Sequence, residues 1–309
     1  MKNVFRILLT ACLLTATFLP SCKSATVKGP IVVGSKIDTE GAILSQMVIL
    51  MLRANGFDVV DKSGFGTTSI VRQALLSGEL DIYPEYTGNG AFFFPSAPSN
   101  VWSDAQGGYD TVKQLDLSQN DVVWLQPAPA NNTWAIAVTS KLASEAKLAS
   151  LIDLASYVNI GGYVKLIGSD EFVTSAVALP KFEQAYGFNL TSAQLVTVSS
   201  GDTAQTEKAA SQGTNGINAA MAYGTDGSIS AFKLVVLADP RGAQPVYEPA
   251  PIVRGAKITK YPEIAAILNP VFDSLSLTTL QTLNGKIVVD GLTASSVAHD
   301  YLISKGFLK

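Results

Sequence analysis

From Ile31 onward, short apolar runs stopped by glycine or proline alternate with helical patterns, and this alternation constrains the fold more than any other feature. Ile31-Val32-Val33-Gly34 reads as a buried strand. A helix then follows, with Thr39 placed to cap it at Glu40. Ile43, Leu44, Met47, Leu50 and Met51 recur at helical spacing until Asn55-Gly56 stops the pattern. Asp58–Asp61 predicts the next strand, Gly64-Phe65-Gly66-Thr67-Thr68 a loop, and Ser69–Ser77 a helix ended by Gly78. Leu80–Tyr83 is a strand closed by Pro84. Further strands are expected at Val122–Leu125, Trp134–Val138, Lys165–Ile167, Leu195–Val198, Ala219–Tyr223 and Leu234–Leu237, and a mostly helical tail from Ile258. Strands alternating with helices predict an α/β fold with largely parallel sheets. No flexible linker marks a boundary, so the chain is expected to cross twice between two lobes. The crossings are placed near Trp134–Thr139 and near Ala238–Ala243. Lobe one then comprises residues 30–134 plus 241–309 and lobe two residues 135–240, hinged for closure.

The first 22 residues stand apart. Lys2 and Arg6 precede an uncharged apolar run, Ile7–Leu19, too short for a comfortable membrane span, and this reads as a signal peptide. It ends in Leu19-Pro20-Ser21-Cys22, which resembles a lipobox and predicts lipidation of Cys22; ordinary cleavage nearby is the alternative. The only other cysteine, Cys12, lies inside the leader. A disulfide or a cysteine metal site is therefore excluded from the exported chain, which must be held by core burial. With 47% apolar residues it has the material. The net charge of −3 and the lack of a basic cluster argue against nucleic acid as a partner. The expected location is the periplasm or the extracytoplasmic membrane surface, with the membrane touched only through the lipid.

Catalytic chemistry finds little support. His299 is the one histidine. There is no G-x-S-x-G, no P-loop and no H-E-x-x-H, and Gly64-Phe65-Gly66 lacks the third glycine of a dinucleotide fingerprint. No metal site and no cofactor are implied. An enzyme acting on a small cation, with Asp81, Glu85 or Asp226 as acid or base, is the reading from another class.

Aromatics in polar turns at strand ends are the informative feature. They occur in Tyr83-Pro84-Glu85-Tyr86-Thr87-Gly88-Asn89, Asn131-Asn132-Thr133-Trp134, Ala222-Tyr223-Gly224-Thr225-Asp226-Gly227 and Pro245-Val246-Tyr247-Glu248-Pro249. Four such turns point to a cleft. Several aromatic faces together suit a trimethylammonium group, which has no N–H to donate and a diffuse charge that the faces attract.

These stretches, with Gly34-Ser35-Lys36-Ile37-Asp38-Thr39-Glu40 and Gly78–Gly88, resemble the quaternary-amine-binding proteins of osmoprotectant ABC importers over about residues 30–309. The resemblance implies a two-lobed type 2 periplasmic-binding-protein fold. It implies capture of glycine betaine, choline or a similar solute, and an ABC permease with its ATPase subunits as partners. A solute sensor on the same fold is an alternative. Position by position, it implies an aromatic box of Tyr86, Trp134, Tyr223 and Tyr247, with Asn89, Asn132 and Thr225 as polar neighbours. Two departures stand out. Gly41 replaces a glutamine that relatives carry after Thr-Glu, and Ser175 stands where betaine-binding relatives often have an arginine that clamps a carboxylate.

Overall fold

The computed structural model describes residues 27–199 and 203–309; the leader and Cys22 lie outside them. The chain opens with β1 (Lys28–Lys36), α1 (Thr39–Ala54), β2 (Phe57–Gly66), α2 (Thr68–Ser77), β3 (Ile82–Tyr86), α3 (Gly90–Phe93), α4 (Ala105–Asn120) and β4 (Val122–Trp124). It continues through β5 (Trp134–Thr139), α5 (Ser140–Ala146), α6 (Leu151–Asn159), β6 (Leu166–Ser169), α7 (Asp170–Thr174), α8 (Leu179–Tyr186), β7 (Leu195–Val198), α9 (Thr203–Ser211), β8 (Ala219–Tyr223), α10 (Ser228–Ala231) and β9 (Leu234–Val236). It finishes with β10 (Pro249–Arg254), α11 (Gly255–Lys260), α12 (Glu263–Asp273), α13 (Leu277–Val288) and α14 (Ala294–Ser304).

These elements make two lobes, each around one five-stranded sheet, in the orders β2-β1-β3-β10-β4 and β7-β6-β8-β5-β9. The chain leaves the first sheet after Trp124, enters the second at Trp134, leaves it after Val236 and re-enters the first at Pro249. The sheets are mixed, not largely parallel as expected. β5 runs antiparallel to β8 and β9, and β10 antiparallel to β3 and β4. These are the two strands that follow a crossing. Each enters its sheet from the end facing the other lobe, so it runs against the neighbours it joins.

β10 escaped the sequence reading because Pro249 and Pro251 argue against an interior strand. The ladder absorbs them. Pro251 stands opposite Pro84 of β3, and its carbonyl accepts from Leu125 N at 2.9 Å on the other side. The hydrogen-bonding edge of Pro251 thus points away from β3, and the β3–β10 pairing loses no N–H there. Two smaller expectations also change. The N-cap of α1 is Asp38, which accepts from Gly41 N at 2.7 Å, and not Thr39. The stretch Gly64–Gly66, expected as loop, ends β2.

Each sheet is covered on both faces. Ile43, Leu44 and Met47 of α1 join Val271 and Phe272 of α12, Leu280 and Leu283 of α13 and Leu302 of α14 in one core. On the opposite face Val71, Leu75, Tyr83, Trp102, Val112 and Trp124 form another. In lobe two, Ile136 and Val138 face one core while Ala137 faces the other, the period-2 signature of a strand buried on both sides. Among the described residues, no helix is long and apolar enough to cross a membrane.

Candidate functional site

Antiparallel entry of β5 and β10 decides where the aromatics meet, because it sets the start of one strand beside the end of another. Trp134, first in β5, pairs with Tyr223, last in β8. Pro249, first in β10, pairs with Tyr86, last in β3, and Tyr247 sits two residues earlier. These strand ends open onto one interlobe cleft of about 790 Å³ whose wall includes Tyr86, Asn89, Asn132, Trp134, Tyr223, Thr225 and Tyr247.

Each aromatic is held. The Trp134 indole N–H donates to the Tyr223 hydroxyl at 2.8 Å, with ring centroids 6.4 Å apart and 25° between planes. Phe172 meets Trp134 edge-on at 6.2 Å. Tyr247 lies flat on Gly88, where a Cβ would come within 2.7 Å of its ring. Gly88 is therefore required for that approach. Tyr247 N donates to Asn131 Oδ1 at 2.8 Å, which ties the ring to the first crossing. Burial, first of all, raises the pKa of Tyr86, Tyr223 and Tyr247, so all three rings stay neutral and electron-rich at physiological pH.

The charged residues on the wall are Lys36, Asp38, Glu40 and Asp226. Lys36 Nζ lies 4.6 Å from the Tyr86 ring centroid and 2.5 Å from Glu85 Oε1, so its charge is committed. Glu40 sits at the buried start of α1. Its Oε1 accepts from Tyr86 Oη at 2.8 Å and Asn132 Nδ2 at 3.2 Å, and its Oε2 from Asn284 Nδ2 at 2.7 Å. Burial pushes its pKa up to about 7, against the opposing pull of Thr225, Asn284 and Tyr86.

The lobes also touch beside this carboxylate. The loop Gly224–Gly227, at the end of β8, lies against α13 of lobe one. Asn284 Nδ2 donates to Thr225 O at 2.9 Å, and Gln281 Nε2 to Gly224 O at 2.8 Å. The backbones approach so closely that a Cβ on Gly227 would lie 2.1 Å from Gly285 N. On the other flank, a Cβ on Gly224 would lie 2.1 Å from Asn131 O. The two glycines of Ala222-Tyr223-Gly224-Thr225-Asp226-Gly227 thus serve two separate close contacts.

Of the eight side chains expected at the ligand, seven line the cleft and Ser175 does not. Ser175 ends α7, with its N–H on Glu171 O, and Val177 two residues on reaches the wall instead. The expected position of the arginine clamp thus lies off the cleft wall in this structure. Lys36, Glu40, Gln244 and Asn284 were not among the expected site residues. The first two lie inside the quoted Gly34–Glu40 stretch, whereas Asn284 carries no local signal in an ordinary amphipathic helix. The carboxylates weighed for acid–base work are engaged in structure. Asp81 pairs with Lys257 at 3.0 Å and Arg254 at 3.3 Å. Glu85 accepts from Lys36, Tyr83, Tyr86 N and Asn89, and Asp226 accepts from Tyr223 N.

Comparison with known proteins finds relatives over most of the chain. The family model "Substrate binding domain of ABC-type glycine betaine transport system" matches residues 29–304. The glycine betaine-binding protein YehZ of Escherichia coli (strain K12) is 53% identical over 280 residues, covering 91% of this chain and 92% of YehZ. A glycine-betaine-binding protein of Pseudomonas aeruginosa is 30% identical over 276 residues, covering 87% of this chain and 86% of its own. The structure of apo YehZ from Escherichia coli superposes with a TM-score of 0.86 at 54% identity, covering 91% of this chain and all of that one. By its fold, its aromatic cleft and these matches, the chain belongs to the family of substrate-binding domains of ABC-type glycine betaine transport systems.

Proposed function

We propose that this protein captures a small quaternary-ammonium compound, of the glycine betaine or choline kind, and delivers it to an ABC permease driven by ATPase subunits. The observation that carries this reading is the convergence of Tyr86, Trp134, Tyr223 and Tyr247, from four separate stretches of sequence, on one cleft wall. A trimethylammonium group offers no N–H, so neutral aromatic faces suit it better than a hydrated carboxylate cage. Each face contributes about 0.5–2 kcal/mol once water is excluded. The acidic side chains on the wall add a favourable field for a cation. Relatives named for glycine betaine at 53% and 30% identity support the ligand class. Residues 30–134 with 241–309 form one closing body in this reading and residues 135–240 the other.

Calorimetry against glycine betaine, choline, carnitine and proline betaine tests the proposal. At least one is expected to bind, and Trp134→Ala is expected to weaken that binding by about 3- to 30-fold through loss of one aromatic face. Absence of binding across the panel, or an unchanged affinity in Trp134→Ala, would sink it.

Substrate-binding proteins of ABC importers work outside the cytoplasm, and Leu19-Pro20-Ser21-Cys22 offers the anchor. We propose that Cys22 carries lipid. Mass spectrometry of the native protein is expected to find a diacylglyceryl adduct on Cys22 as the first residue; an unmodified N-terminus downstream of it rules the anchor out.

A further inference from the structure

Glu40 is the point where the cage and the lobe junction share one group. It is 4% exposed, and donors reach it from four parts of the chain: Tyr86 on β3, Asn132 on the first crossing, Asn284 on α13 and the side chain of Thr225 in the lobe-two loop. Asn284 then uses the same amide nitrogen to hold Thr225 O. The carbonyl oxygens of Asn132 and Asn284 have no hydrogen-bond partner among the described residues. Both amides are therefore turned by what their nitrogens reach, and for each that includes Glu40.

We propose that Glu40 is a positioning residue that couples ligand capture to the lobe junction. Its carboxylate sets the Tyr86 hydroxyl and the Asn132 amide at the cage, and it seats Asn284, which in turn fixes the Tyr223–Gly227 loop against α13. Any solute that fits the cage meets aromatic rings from both lobes whose separation this one group governs. The inference rests on the capture reading above for its ligand-binding arm; its second arm uses ligand-free protein and stands apart from that reading.

Protonation gives the coupling a signature. Burial holds Glu40 near pH 7, so both charge states are populated around neutrality. The groups that face it or share its wall are Asp38 at the start of α1, Tyr86 on β3, Lys36 at the end of β1 with its partner Glu85, and Asp226 in the lobe-two loop. Asp38 repels the charge, and Lys36 is neutralised by Glu85. The ionised form accepts from all its donors and adds negative charge beside the cage. The protonated form gives up acceptor capacity on one oxygen and carries no charge. Affinity for a quaternary ammonium therefore falls as pH drops through about 7. Stability of the ligand-free protein moves the opposite way. Between the unfolded value of 4.5 and about 7, the folded chain keeps a proton that the unfolded chain has lost. The stabilisation is thus complete below 4.5 and is lost as pH rises through 7.

The test compares wild type with Glu40→Gln, Glu40→Asp and Asn284→Ala. Choline and glycine betaine affinities are measured by calorimetry at pH 6 and pH 8, and the radius of gyration and melting temperature on ligand-free protein. Glu40→Gln is expected to bind about tenfold more weakly at pH 8, to lose the pH trend in affinity and to lose the pH slope of the melting temperature. Glu40→Asp keeps the charge but reaches less far, so it is expected to bind weakly and retain the pH trend. Asn284→Ala is expected to weaken binding by about tenfold and to enlarge the ligand-free radius of gyration as the loop leaves α13. A wild-type pH profile in Glu40→Gln overturns the assignment of the titrating group. An unchanged affinity or radius in Asn284→Ala, with only a lower melting temperature, overturns the coupling. If wild type binds neither ligand, the capture reading fails, and the radius of gyration of Glu40→Gln and Asn284→Ala still decides whether the carboxylate holds the junction.

Discussion

Asp116→Ala should destabilise the protein by about 3–5 kcal/mol, the cost of breaking a buried ion pair from one side. Asp116 has no exposed surface. Its two oxygens accept from Arg72 Nη1 at 2.8 Å and Nη2 at 2.5 Å, from Asn120 Nδ2 at 2.9 Å and from the Trp124 indole at 2.7 Å. Burial alone would lower the pKa of the Arg72 guanidinium, yet its bonds and attraction to Asp116 hold it above the ordinary value. Removing the carboxylate leaves that charge buried against Phe93, 4.4 Å from its ring centroid, and leaves the Trp124 N–H without its acceptor. At this chain length the loss amounts to roughly 10 °C in melting temperature. Replacing both partners with apolar residues, as in Arg72→Met with Asp116→Leu, is expected to recover the part due to the unpaired guanidinium, while the Trp124 N–H stays without its acceptor in both variants. Denaturant unfolding of the two single variants and the double variant measures this. Equal losses in single and double variants would show that packing volume, and not the unpaired charge, sets the cost. Neither residue lines the cleft, so ligand affinity is expected to stay within about twofold.

Gly227→Ala should cripple ligand capture while leaving both lobes folded. Gly227 has φ −69° and ψ −26°, a conformation that alanine adopts freely, so backbone strain plays no part. The obstacle is steric. The new Cβ would lie 2.1 Å from Gly285 N and 2.4 Å from Asn284 C, both backbone atoms of α13 that cannot rotate away. The loop and the helix must separate, and with them go the bonds from Asn284 to Thr225 O and from Gln281 to Gly224 O. Overpacking of this kind costs about 1–3 kcal/mol, which corresponds to about 5- to 150-fold in affinity when it falls on the ligand-holding form. Gly285→Ala is the internal comparison. Its Cβ would come only to 3.0 Å from Gly227 O, so its effect is expected to be several-fold smaller. Calorimetry on the two variants, with circular dichroism to verify folding, checks the order. Equal affinities in the two variants would mean that this backbone contact does not govern capture.

Much of this protein was legible in its sequence, because the relevant signals are local. The helix from residue 40 follows from apolar spacing and the Asn55-Gly56 stop, and the buried strands from unbroken apolar runs ended by glycine. The aromatic turns were recognisable because four of them recur at predicted strand ends, where an α/β fold forms its clefts. Local pattern failed where pairing decided the outcome. β10 carries two prolines that only the register opposite Pro84 accommodates, and no window of sequence contains that partner. The mixed sheets arise from the direction in which a crossing chain enters a lobe, a property of the whole path. Ser175 matches the family's clamp position in sequence, yet at the end of α7 it does not line the cleft. Glu40 and Asn284 stand 244 positions apart in the chain, yet Asn284 donates to Glu40 at 2.7 Å. Sequence by itself determined most of the element types, the α/β class and which aromatic turns lie at strand ends, since each rests on the propensity and spacing of neighbouring residues. The tertiary structure alone decided strand direction, which side chains line the cleft and which carboxylate joins the lobes, because burial and hydrogen-bond partnership depend on groups that meet only after the chain has crossed between lobes and returned.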